Sequence, residues 1–100
     1  MLISPLVKSK LPKLYSQESQ EDPTVYLKFF NPLGAGTWYF MEYCPEDNLA
    51  FGYIDLHETE LGYFSIAELE AIRLPFNMRI ERDFSFVPKK LSEVKRKVLT

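Results

Sequence analysis

TWYFMEYCPEDNLAFGYIDL, Thr37 to Leu56, decides how the chain folds. Two runs rich in aromatic and β-favouring residues flank PEDN, where a proline, Asp47 and Asn48 suit a tight reversal. They predict strands over 37–44 and 49–56. In the first, Trp38 and Phe40 share one face, while Tyr39, Met41 and Tyr43 share the other. Both faces are therefore partly apolar. One must cover the core; the other needs a helix, a partner or a ligand.

Upstream, PTVYLKFFNP predicts another strand over 24–30, with Val25, Leu27 and Phe29 on one face. NPLGAG then supplies a longer hairpin loop. Three strands with short connections make an antiparallel meander. Downstream, HETELG reads as a loop. Ser65 followed by Glu68 forms a capping box, and Ile66, Leu69 and Ile72 recur at helical spacing up to the break at Pro75. MRIERDFSF alternates and predicts a fourth strand over 79–86. Ser92 opens a short basic helix. Near the start, Ser4-Pro5 opens a helix that Pro12 limits to about two turns. SQESQED, 16–22, reads as a polar loop. The expected fold is α+β: a single domain over 1–100, with an antiparallel three- to four-stranded meander and short helices at one face or the ends. Residues 1–3 and 98–100 are expected to fray.

One hundred residues hold one core, and a hydrophobic fraction of 46% is enough to build it. No apolar run reaches the roughly 18 residues that cross a bilayer. The opening MLISPLVKSKLPKLY scatters Lys8, Lys10 and Lys13 among its apolar residues, unlike a secretory signal, so a cytoplasmic protein with no membrane association is expected. Cys44 is the only cysteine, which rules out an internal disulfide and a four-cysteine zinc site. Charge is uneven. Residues 1–20 carry three lysines against one glutamate, 21–70 carry Lys28 against ten acids, and 71–100 carry eight bases against three acids. Such asymmetry marks either solvated loops and a basic helix or a binding surface.

The chemistry-bearing candidates are few. DLHETE, 55–60, holds the only histidine. A hard cation there would need Asp55, His57 and Glu58 to converge, yet alternation along an extended segment sends Glu58 away from the other two. No second histidine completes a zinc signature, so a metal-dependent enzyme is the third reading of this chain and a solvated linker the simpler account of the stretch. Cys44 and His57 are the one conceivable nucleophile–base couple, with no oxyanion loop beside them. GAG, 34–36, lacks the ending of a phosphate loop. No cofactor, catalytic residue or metal ligand is assigned. Sheet aromatics with a basic tail at Lys89, Lys90, Lys95, Arg96 and Lys97 make a nucleic-acid-binding module the alternative reading, although the strands' own acids repel phosphate. The favoured reading is a protein-binding surface of Glu42, Glu46, Asp47, Asp55, Glu58 and Glu60, with Tyr43 and Tyr53 as anchors. A free sheet edge can also pair with a second copy of the chain.

KLPKLYSQESQEDPTVYLKFFNP (10–32), TWYFMEY (37–43), FGYIDLHETELGYFSIAELEAIR (51–73) and IERDFSFVPKKLSE (80–93) together resemble the bacterial domain-of-unknown-function family 2958. The most specific parts are LPxLYxQE at Leu11–Glu18 and ELGYFSIAELE at Glu60–Glu70. The resemblance implies a short accessory protein of plasmids, integrated elements and phages, acting on host defence or DNA transfer. It brings no catalytic residue.

Overall fold

A computed structural model describes residues 2–99. Its centre is a five-stranded antiparallel sheet in the order β5-β4-β3-β2-β6, built from β2 (Leu27–Phe30), β3 (Thr37–Cys44), β4 (Leu49–Asp55), β5 (Thr59–Ser65) and β6 (Glu81–Arg82). The four consecutive strands β2 to β5 form the expected meander. A two-stranded ribbon of β1 (Thr24–Val25) and β7 (Lys89–Lys90) lies beside it. Among the described residues three α-helices, α1 (Pro5–Lys8), α2 (Ile66–Ala71) and α3 (Leu91–Leu99), and a short 3-10 helix at Pro75–Asn77 complete the α+β domain. Among the described residues no helix is long and apolar enough to cross a membrane.

Both sheet faces are covered. On one, Trp38, Phe40, Ala50, Ile54 and Phe64 pack with Ile66 and Leu69 of α2 and with Ile3. On the other, Tyr39, Met41 and Tyr53 pack with Val25 and with Leu91 and Val94 of α3. The second apolar face of β3, left open by the sequence, thus receives the basic helix. Val25 joins this second core, because the strand expected over 24–30 breaks at Tyr26 and its first two residues pair with β7 instead.

The helix starts follow their capping residues. Ser4 Oγ accepts from the Val7 amide at 3.3 Å, and Ser65 Oγ accepts from the Glu68 amide at 3.2 Å. Asn48, at φ 51°, closes the β3–β4 turn in the left-handed region that asparagine tolerates. Gly52 is required by the sheet itself: a Cβ there would lie 1.9 Å from the Tyr39 carbonyl oxygen.

Three further expectations need correction. HETELG is not a loop. Only Leu56–Glu58 turn, and Thr59 opens a seven-residue edge strand paired along all of β4. The alternation of Leu61 and Tyr63 against Gly62 and Phe64 is a strand pattern that the surrounding charges disguise. The fourth strand, expected over 79–86, shrinks to Glu81–Arg82, since Asp83 turns the chain by accepting from the Ser85 amide at 3.0 Å. Near the start, Ile3 is 0% exposed, and the Leu2 amide donates to Glu70 Oε2 at 2.7 Å. Met1 and Thr100 lie outside the described residues. Finally, the face assignment of β3 fails beyond Met41. Phe40 pairs with Gly52, but Glu42 pairs with Phe51, so Met41 is an extra residue in a β-bulge. From there the alternation slips by one. Tyr43 turns into the first core with Phe40, and Glu42 goes to the opposite face.

Candidate functional site

The bulge creates the main site. Beyond Phe40, the edge of β3 that β2 occupied is taken by the N-terminal segment: the Tyr43 amide donates to the Pro12 carbonyl at 2.8 Å. Glu42 is only 4% exposed, and its carboxylate is fully engaged there. It accepts from the Tyr15 amide at Oε1 and from the Gln17 amide at Oε2, each at 2.8 Å. Gln17 is buried as well. Its Oε1 accepts from the Thr24 amide at 2.8 Å, and its Nε2 donates to the Thr24 and Met41 carbonyls, each at 3.2 Å. This amide joins the bulge to β1 where no backbone ladder reaches.

Tyr15 is held with φ 67°, a conformation that costs a side-chain-bearing residue about 1–2 kcal/mol. Hydrogen bonds to a charged acceptor contribute about 1.5–3 kcal/mol each, so the Glu42 pair outweighs the strain. The outcome is an aromatic ring turned outwards. Tyr15 is 62% exposed, and its hydroxyl lies 3.3 Å from that of Tyr63, itself 49% exposed. The hydrogen bond to Tyr15, before burial, raises the Tyr63 pKa above the usual tyrosine value.

These two rings flank a cleft of about 370 Å³. Met41, Phe51 and Leu61 give it an apolar lining, Glu18 and Glu21 add acid from the N-terminal segment, and Leu91 and Lys95 come from α3. A second pocket of about 250 Å³ is lined by Lys28, Lys89 and Lys97 together with Tyr39 and Phe86. Helix α3 contributes to both: Leu91 and Lys95, one turn apart, line the first, and Val94 and Lys97 line the second.

The expected surface residues are therefore dispersed. Glu42 is a buried structural carboxylate. Tyr43 is 3% exposed and donates to Asn48 Oδ1 at 2.6 Å, because the bulge turned it into the core. Tyr53 is also 3% exposed, packed beneath the Lys95 ammonium, which sits 5.6 Å from its ring. None of these three is an exposed anchor. Glu46 and Asp47 lie in the β3–β4 turn, exposed, while Asp55, Glu58 and Glu60 lie at the far end of β4. Seven residues of strand put roughly 20 Å between the two groups. Neither group lines the cleft.

The same separation parts Cys44 from His57, so they form no nucleophile–base couple. Among the described residues no group of three or more His, Cys, Asp or Glu is placed to hold a metal ion, and DLHETE is the end of a strand, a turn and the start of another. Cys44 Sγ lies 3.4 Å from Glu46 Oε2; this contact, after Glu46's own backbone amide, holds the Glu46 carboxyl below its usual pKa. The basic tail is split too. Lys95 serves the acidic cleft, Lys89 and Lys97 the second pocket, Lys90 is an exposed residue of β7, and Arg96 lies in the field of Asp22.

Sequence reading passed over Tyr15, Glu18, Leu61 and Tyr63 as site residues, although all four fall in LPxLYxQE or ELGYFSIAELE. The structure gives those two motifs a common address on the cleft. No curated protein and no solved structure matches the chain. A family model does: the chain matches "Protein of unknown function (DUF2958)" over residues 2–96, and it belongs to that family.

Proposed function

We propose that this protein is a non-enzymatic accessory factor that holds a basic, extended segment of a protein partner in the cleft between Tyr15, Tyr63 and α3. The observation that carries this reading is the exposed Tyr15–Tyr63 pair, maintained by a strained backbone and a buried carboxylate. Strain held in place by over-determined surroundings concentrates at ligand clamps. Exposed tyrosines over an apolar lining are the residue types that anchor interfaces. Glu18 and Glu21 favour lysine or arginine on the partner. Among the described residues the outer edge of β5 has no neighbouring strand, so an extended segment entering the cleft can also pair with its backbone. A component of host defence, met in the cytoplasm by a plasmid- or phage-borne factor, is the partner class that suits the family resemblance.

The test is affinity capture with three chains: wild type, Tyr63→Asp, and a double variant Glu46→Lys/Asp47→Lys in the distant turn. A partner recovered by wild type and by the turn variant, but lost with Tyr63→Asp, supports the cleft. A partner retained by Tyr63→Asp and lost from the turn variant sinks it.

A further inference from the structure

The second pocket supports a binding activity separate from the cleft. Lys28 comes from β2, Lys89 from β7 and Lys97 from α3, so lysines from three distant parts of the chain line one concavity. Among the described residues Asp83 is the one acid lining it. That carboxylate is already occupied. Oδ1 accepts from the Ser85 amide at 3.0 Å and from Ser85 Oγ at 2.5 Å, while Oδ2 lies 3.7 Å from Lys28 Nζ. Its work is to set the 83–86 turn and to steady Lys28. Two of the ammoniums also rest on rings: Lys89 lies 4.9 Å from the Phe86 centroid and Lys28 lies 6.0 Å from that of Tyr39. Long side chains braced in this way lose less freedom when they take a ligand.

Three lysines against one aspartate favour an anion. Among the described residues no arginine lines the pocket, so the flat fork that matches a carboxylate is missing, whereas lysines on three separate elements suit a tetrahedral oxyanion. At about 250 Å³ the pocket falls below the roughly 300–1,000 Å³ of sites for drug-sized molecules, which suits one charged group and its near attachment. We infer that this pocket binds a phosphate group, carried by a nucleotide or by a strand of nucleic acid, through Lys28, Lys89 and Lys97.

The experiment is an amide-resolved NMR titration of the full chain with inorganic phosphate, AMP and a short single-stranded oligonucleotide, at low and moderate salt. Saturable shifts around Lys28, Ser85, Lys89 and Lys97, weakening as salt rises, are expected. Lys89→Gln/Lys97→Gln should weaken binding at least fivefold, while Lys90→Gln, outside the pocket, leaves it unchanged. Similar affinity for AMP and the oligonucleotide identifies the single phosphate as the recognised group. Tenfold tighter oligonucleotide binding, still lost in the double variant, identifies a strand as its source. No saturable binding at millimolar ligand, or equal losses in Lys90→Gln and the double variant, overturns the inference. The titration does not involve the cleft, so its failure leaves the partner reading untouched.

Discussion

Glu42 shows how far a single residue's environment can depart from its appearance in sequence. It sits among aromatics on a strand, where alternation and charge suggest an exposed acid. One inserted residue, Met41, turns it inwards onto two amides 25 and 27 positions earlier. Replacing it with alanine strands the Tyr15 and Gln17 amides and should destabilise the fold by about 3 kcal/mol, with Glu42→Gln losing less because one acceptor survives. Urea denaturation measures both; an unchanged midpoint for Glu42→Ala would show the carboxylate to be dispensable. Tyr15→Gly separates structure from function at the same spot. Glycine adopts positive φ without penalty, so the fold should hold or gain about 1 kcal/mol, while partner capture drops. Equal capture by the glycine variant would remove Tyr15 from the site.

At the level of elements, local rules served best where one signal governed one segment. The caps at Ser4 and Ser65, the PEDN turn and the alternation of β3 up to Met41 were legible because each depends on neighbours in sequence. β5 was not, since its exposed edge position carries Glu60 just after Glu58 of the turn, and charges that protect sheet edges also resemble a loop. The break at Tyr26 and the pairing of β1 with β7 depend on residues some 65 positions apart, beyond any local pattern. The docking of α3 is similarly remote. Asp22 accepts from the Ser92 amide at 2.9 Å and from Ser92 Oγ at 2.7 Å. The Ser92 hydroxyl first, and its amide second, lower the Asp22 pKa below the ordinary 3.8. Asp83 is lowered likewise, chiefly by the Ser85 hydroxyl. A carboxyl with a depressed folded pKa contributes stability that is present above its unfolded value and disappears as pH falls through the folded one. Acidification below about 3.8 should therefore loosen the start of α3 and the 83–86 turn. Asp22→Asn should shrink the fall in melting temperature between pH 5 and pH 2; an unaltered fall would show that the Ser92 contact carries no pH-dependent stability.

For the molecule as a whole, the basic C-terminal stretch is half of a core and not an appendage. Leu91 and Val94 are 5% and 2% exposed, and they cover Tyr39, Met41 and Tyr53. A chain ending at Pro88 should bind a hydrophobic dye and lose its cooperative thermal transition. A sharp transition in that truncated chain would mean that the second face needs no cover. The candidate sites follow from the same architecture. Their residue types were visible in sequence, but which of them meet depends on the bulge and on α3 crossing the second face. That is why the acids read as one surface lie at opposite ends of β4, while tyrosines 48 positions apart share a cleft.

The Leu2 amide bonds a carboxylate 68 residues further on, and Ile3 is enclosed by elements that all follow it. On the ribosome, at roughly 5–20 residues per second, that carboxylate emerges about 3–14 s after the Leu2 amide that donates to it. Throughout this interval Leu2, Ile3 and Val7 lack the core they pack against in the folded domain. Residues 2–7 are thus made before the core they join, and they settle only once α2 has followed.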